Sequence, residues 1–243
     1  MESVKTEIKP YVNGSSKRQQ IEEMFDSISH RYDFLNHFLS MGIDRSWRRK
    51  AIAELKSIAP KKILDVATGT GDLAIAALSL NPDEVVGVDI STKMLEVGRL
   101  KLAKRNLDKI QLRQGDGANL DFPDNYFDAV TVAFGVRNFE NLTAGLNEMS
   151  RVMRIGGKAV ILEFSKPSAF PIKQIFSFYS KYILPLWGKV FSGSSEAYTY
   201  LPESVKHFPE GEQLSKILIE CGYKEVKITR LTFGICTIYT AVK

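Results

Sequence analysis

Apolar positions recur every three to four residues between Ile21 and His37 (Met24, Phe25, Ile28, Tyr32 and Leu35), which predicts a helix. A second helix is expected from about Asp44, a suitable N-cap, through Trp47, Ile52 and Leu55. From Lys61 the pattern changes to short apolar runs alternating with helical segments. KKILDVAT, EVVGVDI, IQLRQGD, a run from Phe127 and GKAVILEF read as strands. DLAIAALSL, STKMLEVGRLKLAKR and NLTAGLNEMSRVM read as the helices among them. The rhythm breaks after Ser165 into an aromatic-rich segment, Ala169 to Val190. A last helix, EGEQLSKILIECG, precedes two strands, KEVKITRL and ICTIYTAVK, separated by Thr232, Phe233 and Gly234. Strand–helix alternation of this kind implies an α/β fold with a mainly parallel sheet, helices on both faces and a terminal antiparallel hairpin at the sheet edge.

The expected organisation is a flexible polar tail over residues 1–20 and a single domain over 21–243. That domain has an N-terminal helical cap (21–58) and a lid-like aromatic insertion (166–209). Phe170, Ile172, Ile175, Phe176, Tyr179, Ile183 and Leu186 are spaced helically in the insertion. Phe178, Tyr182 and Trp187 widen the stripe, and Pro185 is expected to end or kink it. Such a segment suits either a core-facing helix or a lid over a long apolar chain. Composition adds limits: the 243 residues carry a net charge of +5 and two cysteines, Cys221 and Cys236. Two cysteines make neither a disulfide framework nor a metal cluster, so a reducing, cytoplasmic setting is expected, with no metal site. The start, MESVKTEIKP, lacks an apolar signal core, and no run is long enough to cross a bilayer. Membrane contact, if made, is therefore peripheral. Lys173, Lys181, Lys189, Arg45, Arg48, Arg49 and Lys50 either face anionic headgroups or lie on solvated helix faces.

The motif with most chemistry is ILDVATGTGDL, Ile63 to Leu73. Asp65 falls near the end of the first strand, and Gly69 and Gly71 bracket Thr70 just before a helix, where free N–H groups face a ligand. The second strand ends in Asp89, placed to accept hydrogen bonds from two ribose hydroxyls. The third ends in Gly115-Asp116-Gly117, where Asp116 suits an adenine amino group and the glycines leave room for the ring. Each piece has a plainer explanation, a turn or a helix cap, but all three fall at the C-terminal ends of successive strands, where open α/β sheets bind ligands. An adenosine-type cofactor follows. A nicotinamide dinucleotide is a rival, since GTGDLA fits the loose glycine fingerprint. Against it, Asp72 is a poor neighbour for pyrophosphate, and Asp65 suits the cationic amino-acid end of S-adenosylmethionine. No phosphate-binding GxxxxGK(S/T) loop occurs.

DVATGTGD, GVDIS, QGDGANLDFPDNYFD and MRIGGKAVILEFSKP together resemble a class I S-adenosylmethionine-dependent methyltransferase with a Rossmann-like seven-stranded sheet. RYDFLNHFLSMGIDRSWRR (Arg31 to Arg49) and FGVRNFEN (Phe134 to Asn141) resemble more specifically the quinone C-methyltransferases of menaquinone and ubiquinone biosynthesis, from about Met24 to the C-terminus. Leu35, Asp44 and Ile155 depart from that family's usual residues. The resemblance implies methylation of a ring carbon of a demethylated prenyl quinol, foremost 2-demethylmenaquinol. The benzoquinol precursor of ubiquinone, or another small molecule, is the alternative. It also implies an acceptor site in which Tyr32, from the N-terminal helix, contacts the quinol, and a cofactor site that Ala133 joins at the end of the fourth strand. Arg137, just past that strand, is placed to stabilise an oxyanion developing on the acceptor, and Asn138 to donate to the same oxygen or to orient Arg137. A strand-end salt bridge is the structural alternative for this pair. Asp33, His30 and His37 are candidate proton acceptors, although both histidines also suit capping or packing. The expected partners are the quinol, an anionic membrane surface at the cytoplasmic face of the inner membrane, and a second copy of the chain, without nucleic acid. An RNA or DNA methyltransferase lacks support because no (D/N/S)PP(Y/F/W) follows the fourth strand. A catechol O-methyltransferase lacks a ligand set for its metal. A non-catalytic binding protein with a relic fold is the last alternative.

Overall fold

The computed structural model describes residues 8–11, 14–183 and 196–243. Pro185, Leu186, Trp187 and Lys189 of the aromatic insertion lie outside them. Five parallel strands form the centre: β1 (Lys62–Val66), β2 (Glu84–Asp89), β3 (Ile110–Gln114), β4 (Phe127–Ala133) and β5 (Met153–Phe164). Two antiparallel strands, β6 (Lys224–Leu231) and β7 (Cys236–Val242), complete a seven-stranded sheet of order β3-β2-β1-β4-β5-β7-β6. The terminal hairpin is present as expected, with β7 inserted between β5 and β6.

Strand residues alternate between two cores, because successive side chains leave opposite faces of a pleated strand. Leu64, Val86, Val130 and Ile161 pack on one face against helices α5 (Leu142–Val152) and α8 (Glu212–Glu220), through Leu146, Met149, Leu214 and Leu218. Ile63, Val85, Ala129 and Val160 pack on the other face against α2 (Ile43–Ala53), α3 (Asp72–Ala77) and α4 (Thr92–Lys104), through Trp47, Ile52, Leu73 and Leu95. A third cluster joins α1 (Lys17–Leu39) to α7 (Glu196–His207): Ile21, Met24, Ile28 and Leu35 pack with Tyr200.

Helix α1 starts four residues before the expected Ile21. Ser16 caps Gln19 N–H and Gln19 returns a bond to the Ser16 backbone, so a capping box opens the helix. Lys17 is buried there, donating to the carbonyls of Arg137 and Phe139 at 3.0 and 3.1 Å. Hydropathy could not reveal this, since a lysine is buried here by long-range acceptors and not by periodicity. Gly42, not Asp44, occupies the N-cap of α2, because the Asp44 carboxylate is taken by His37, Ser40 and Arg48. In the aromatic insertion, α6 (Ile172–Phe178) continues as a π-helical turn to Ile183, and no side chain of either is buried. Ile172, Phe176, Tyr179 and Ile183 are nevertheless half-buried, with Tyr179 against the α1 cluster, so one stripe faces inward while Phe170, Ile175, Phe178 and Tyr182 are exposed. Tyr179 ties the turn to α1 by donating to the Leu39 carbonyl at 2.8 Å.

Helix α1 lies across the loops that follow the first four strands and is tied to each of them. Asp33 accepts from Thr70 after β1 at 2.5 Å, and Asp26 accepts from Ser91 after β2 at 2.6 Å. Arg18 pairs with Asp116 after β3 at 2.8 Å, and Lys17 holds the turn after β4. The same turn packs on α5, where a Cβ built at Gly145 would lie 2.3 Å from the Phe139 ring. Gly145→Ala should therefore destabilise the protein by about 1–3 kcal/mol despite alanine's better helix propensity, because overpacking outweighs it. Chemical denaturation of the two proteins checks this.

Candidate functional site

A cavity opens at the C-terminal ends of β1 and β4, lined by Tyr32, Arg48, Asp65, Ala67, Thr68, Gly69, Thr70, Asp72, Leu73 and Ala133. The chain builds it locally. After β1 the backbone turns through Ala67, Gly69 and Gly71, all with positive φ, and Gly71 at +83° directly precedes α3. Asp65, buried at the strand end, accepts from Thr68 Oγ1 at 2.6 Å and Thr131 Oγ1 at 2.8 Å. Burial pushes its carboxyl up to about 6 against these bonds and the charge of Arg48. Asp89 accepts from Gly69 N–H at 2.7 Å and Ser91 N–H at 2.9 Å, and burial pushes it up to about 6 as well.

Arg48 is buried, lines the same cavity as Asp65, is bonded to Asp44 and lies 3.8 Å from Asp72. This corrects its assignment to an outward, lipid-facing set: Arg45, Arg49 and Lys50 are exposed, but Arg48 turns inward. The i,i+4 spacing of Asp44 and Arg48 was the available sequence signal. Burial pushes Asp72 up, but Arg48 and Lys101 outweigh it and hold the carboxyl below its usual range. Lys101 bridges Asp72 at 2.8 Å and Asp33 at 2.5 Å and donates to Thr70 at 2.9 Å. His37 lies 2.8 Å from Asp44 and 3.7 Å from Asp72. His37, Asp44 and Asp72 are close enough to suggest a metal site, but Arg48 already compensates both carboxylates.

Of the expected site residues, Tyr32, Asp65, Gly69, Thr70 and Ala133 line this cavity. Gly71 caps α3 beside it, and Asp89 reaches it through the Gly69 backbone. Asp116 is further along the strand ends with Arg18, and Gly117 packs against Val66 and Phe139 so closely that a Cβ would lie 2.9 Å from Val66. Tyr32 is half-buried, and desolvation raises its hydroxyl although Asn36, Arg48 and Arg137 oppose the shift.

Arg137 and Asn138 fall in the 3-10 turn after β4 and are both buried. Both donate to the carbonyl of Phe134, a residue at φ +59°, and Arg137 also pairs with buried Glu163 of β5 at 2.7 Å. The strand-end salt bridge is thus present. Tyr200 donates to Asn138 Oδ1 at 3.2 Å, bringing α7 onto the same turn. Among the other candidates, Asp33 is committed to Thr70 and Lys101, His37 to Asp44, and His30 is exposed. Glu163, Lys17, Lys101 and Tyr200 carried no local signal, because their partners are 26 to 123 residues away or on another element.

Sheet order, terminal hairpin and strand-end cavity define the class I methyltransferase fold. A solved S-adenosylmethionine-dependent methyltransferase from Thermotoga maritima shares it at TM-score 0.64 and 17% identity, over 91% of this chain and 99% of that one. The model of the ubiE/COQ5 methyltransferase family matches residues 13–243, and the chain belongs to that family. A demethylmenaquinone methyltransferase from Bacteroides fragilis is 53% identical, covering 97% of both chains. A ubiquinone/menaquinone biosynthesis C-methyltransferase UbiE from Geotalea daltonii is 44% identical, over 94% of this chain and 98% of the relative.

The raised carboxyls make the cavity costly to the fold. A folded-state value of about 6, above the 3.8 of an unperturbed aspartate, means the native state binds more protons between those pH values, so stability falls as pH rises through this window. Asp65→Asn should accordingly raise stability at pH 7 by about 1–3 kcal/mol and weaken its decline between pH 4 and 6. Thermal melts across that pH range check this.

Proposed function

We propose that the protein methylates a ring carbon of 2-demethylmenaquinol with S-adenosylmethionine, giving menaquinol. The observation that carries the reading is the strand-end cavity in which the buried Asp65 carboxylate stands beside the glycine turn, suited to a cationic amino group. Asp65 faces the cofactor's ammonium group. Asp89 accepts from the ribose hydroxyls. Asp116 and Gly117 hold the adenine, Asp116 exchanging Arg18 for the base. Gly69, Thr70, Gly71 and Ala133 shape the backbone around the sulfonium end. The identity to relatives named for demethylmenaquinone favours the naphthoquinol over the benzoquinol. S-adenosylmethionine supplies an electrophilic methyl group on a sulfonium sulfur.

Catalysis then rests on aligning the acceptor carbon and stabilising the charge that grows on its neighbouring oxygen. Tyr32 packs against the quinol from α1. Arg137 stabilises the oxyanion, and Asn138 orients the turn through Phe134 and Tyr200. The exposed side chains of Phe170, Ile175, Phe178 and Tyr182, with Lys173 and Lys181, suit peripheral contact with an anionic cytoplasmic membrane face, from which a prenylated acceptor is drawn. Among the described residues no helix is long and apolar enough to cross a membrane. The organisation that goes with this function is one methyltransferase domain with α1 and α2 as a cap and the aromatic segment as a lid, acting as a monomer or homodimer.

Purified protein is expected to move a labelled methyl from S-adenosylmethionine to demethylmenaquinol; no transfer to that quinol overturns the reading. Arg137→Ala should lower kcat by about 10²-fold or more, while cofactor affinity stays within a few-fold of wild type. Affinity for the cofactor should fall as pH drops below about 6, because protonated Asp65 no longer opposes the ammonium group and protonated Asp89 is a poorer acceptor. Calorimetric titration between pH 5 and 8 measures this, and a flat profile counts against these two contacts.

A further inference from the structure

Among the described residues, three buried side-chain polar atoms have no hydrogen-bond partner: Arg137 Nε, Glu163 Oε2 and Thr240 Oγ1. Two of the three belong to one ion pair. Glu163 is 1% exposed and uses Oε1 for both Arg137 Nη1 at 2.7 Å and Phe164 N–H at 2.9 Å, leaving Oε2 unused. Arg137 uses Nη1 for Glu163 and Phe134 O, leaving the Nε–H unused. A buried donor and a buried acceptor left open on the same pair are costly, since each forfeits its bonds to water. The pair also braces the turn directly after Ala133, which lines the cavity. A group that both donates and accepts a hydrogen bond can satisfy the two atoms together, and a phenolic hydroxyl is such a group.

Resting on the function proposed above, we infer that Glu163 is the proton acceptor of the reaction: the acceptor's phenolic hydroxyl is held between Arg137 Nε–H and Glu163 Oε2. The hydroxyl O–H bond breaks and its proton passes to Glu163. The adjacent ring carbon forms a bond to the methyl carbon, and the sulfur–methyl bond breaks with its electron pair staying on sulfur. The ring carbon's hydrogen leaves as a proton to solvent, restoring aromaticity, and Glu163 returns its proton to the oxygen. Overall, one proton is released per methyl transferred. Arg137, always protonated, stays the stabilising charge throughout. The groups around Glu163 suit this division: among the described residues Arg137 is the cation paired with it, and Cys236, Tyr200 and Tyr239 are the other titratable side chains that feel its charge, each raised by its own burial. Burial raises Glu163 itself, against Arg137, which makes its carboxylate a stronger base.

The test is Glu163→Gln in the full-length protein. Gln keeps an oxygen for Arg137 but takes no proton. We expect kcat to fall by about 10²–10³-fold, with cofactor Kd within about threefold of wild type, and the melting temperature to fall because Arg137 is left buried without its counter-charge. The residual rate should climb about tenfold per pH unit between pH 7 and 9, as solvent hydroxide replaces the missing base, more steeply than in wild type. Glu163→Asp keeps the charge but draws it back one methylene, and should recover about tenfold over Gln with the wild-type pH profile. Turnover of Glu163→Gln within about threefold of wild type overturns the inference. So does a loss of turnover matched by a loss of cofactor affinity, which would mark the pair as bracing only. Should the Gln variant not fold, Glu163→Asp decides alone: wild-type kcat in it overturns the proposal. Wild-type protein inactive on the quinol fails the function itself, whereas an active wild type with an active Gln variant fails only the role of Glu163.

Discussion

Helix α1 lies across the ends of four strands, and its polar ties to their loops are what the site depends on. Lys17, Arg18, Asp26 and Asp33 hold the turns after β4, β3, β2 and β1 respectively. Each tie uses a charged group, and those of Lys17, Asp26 and Asp33 are at least partly withdrawn from water, where such bonds are stronger than neutral ones, whereas Arg18 is exposed. The sheet alone would leave these loops as open turns. With α1 laid over them, Tyr32 is placed over the cavity, and Asp33 and Lys101 fix Thr70 in the glycine turn.

Burial at the strand ends sets the chemistry. Asp65 and Asp89 sit where desolvation raises their carboxyls, which costs stability at neutral pH and sharpens any interaction with a cationic or hydroxylic ligand. Lys17 shows the same cost from the cationic side: desolvation, aided by the charge of Arg137, lowers its ammonium to about 7 despite Glu140. The Arg137–Glu163 pair carries a similar expense, since removing either partner would leave one buried charge alone. Buried, strained charges of this kind cluster in functional sites, and here they gather at the C-terminal ends of the parallel strands.

Much of this was legible along the chain. Alternating apolar runs gave the five parallel strands and the terminal hairpin because core strands must present apolar side chains to both faces. The strand-end positions of Asp65, Gly69, Gly71, Asp89 and Asp116 were legible because each lies within a few residues of a recognisable strand. FGVRNFEN stood out because a buried strand does not ordinarily run into Arg-Asn.

What the sequence by itself determined was the order of elements, the position of the glycine turn and the carboxylates at strand ends, all fixed by local spacing. Only the tertiary structure decided that Arg48 turns inward to Asp44 and Asp72, that Lys17 is buried, and that Arg137 pairs with Glu163. Those assignments depend on partners brought together by sheet order and helix packing. A charged side chain has the same sequence signature whether solvent or a distant carboxylate receives it.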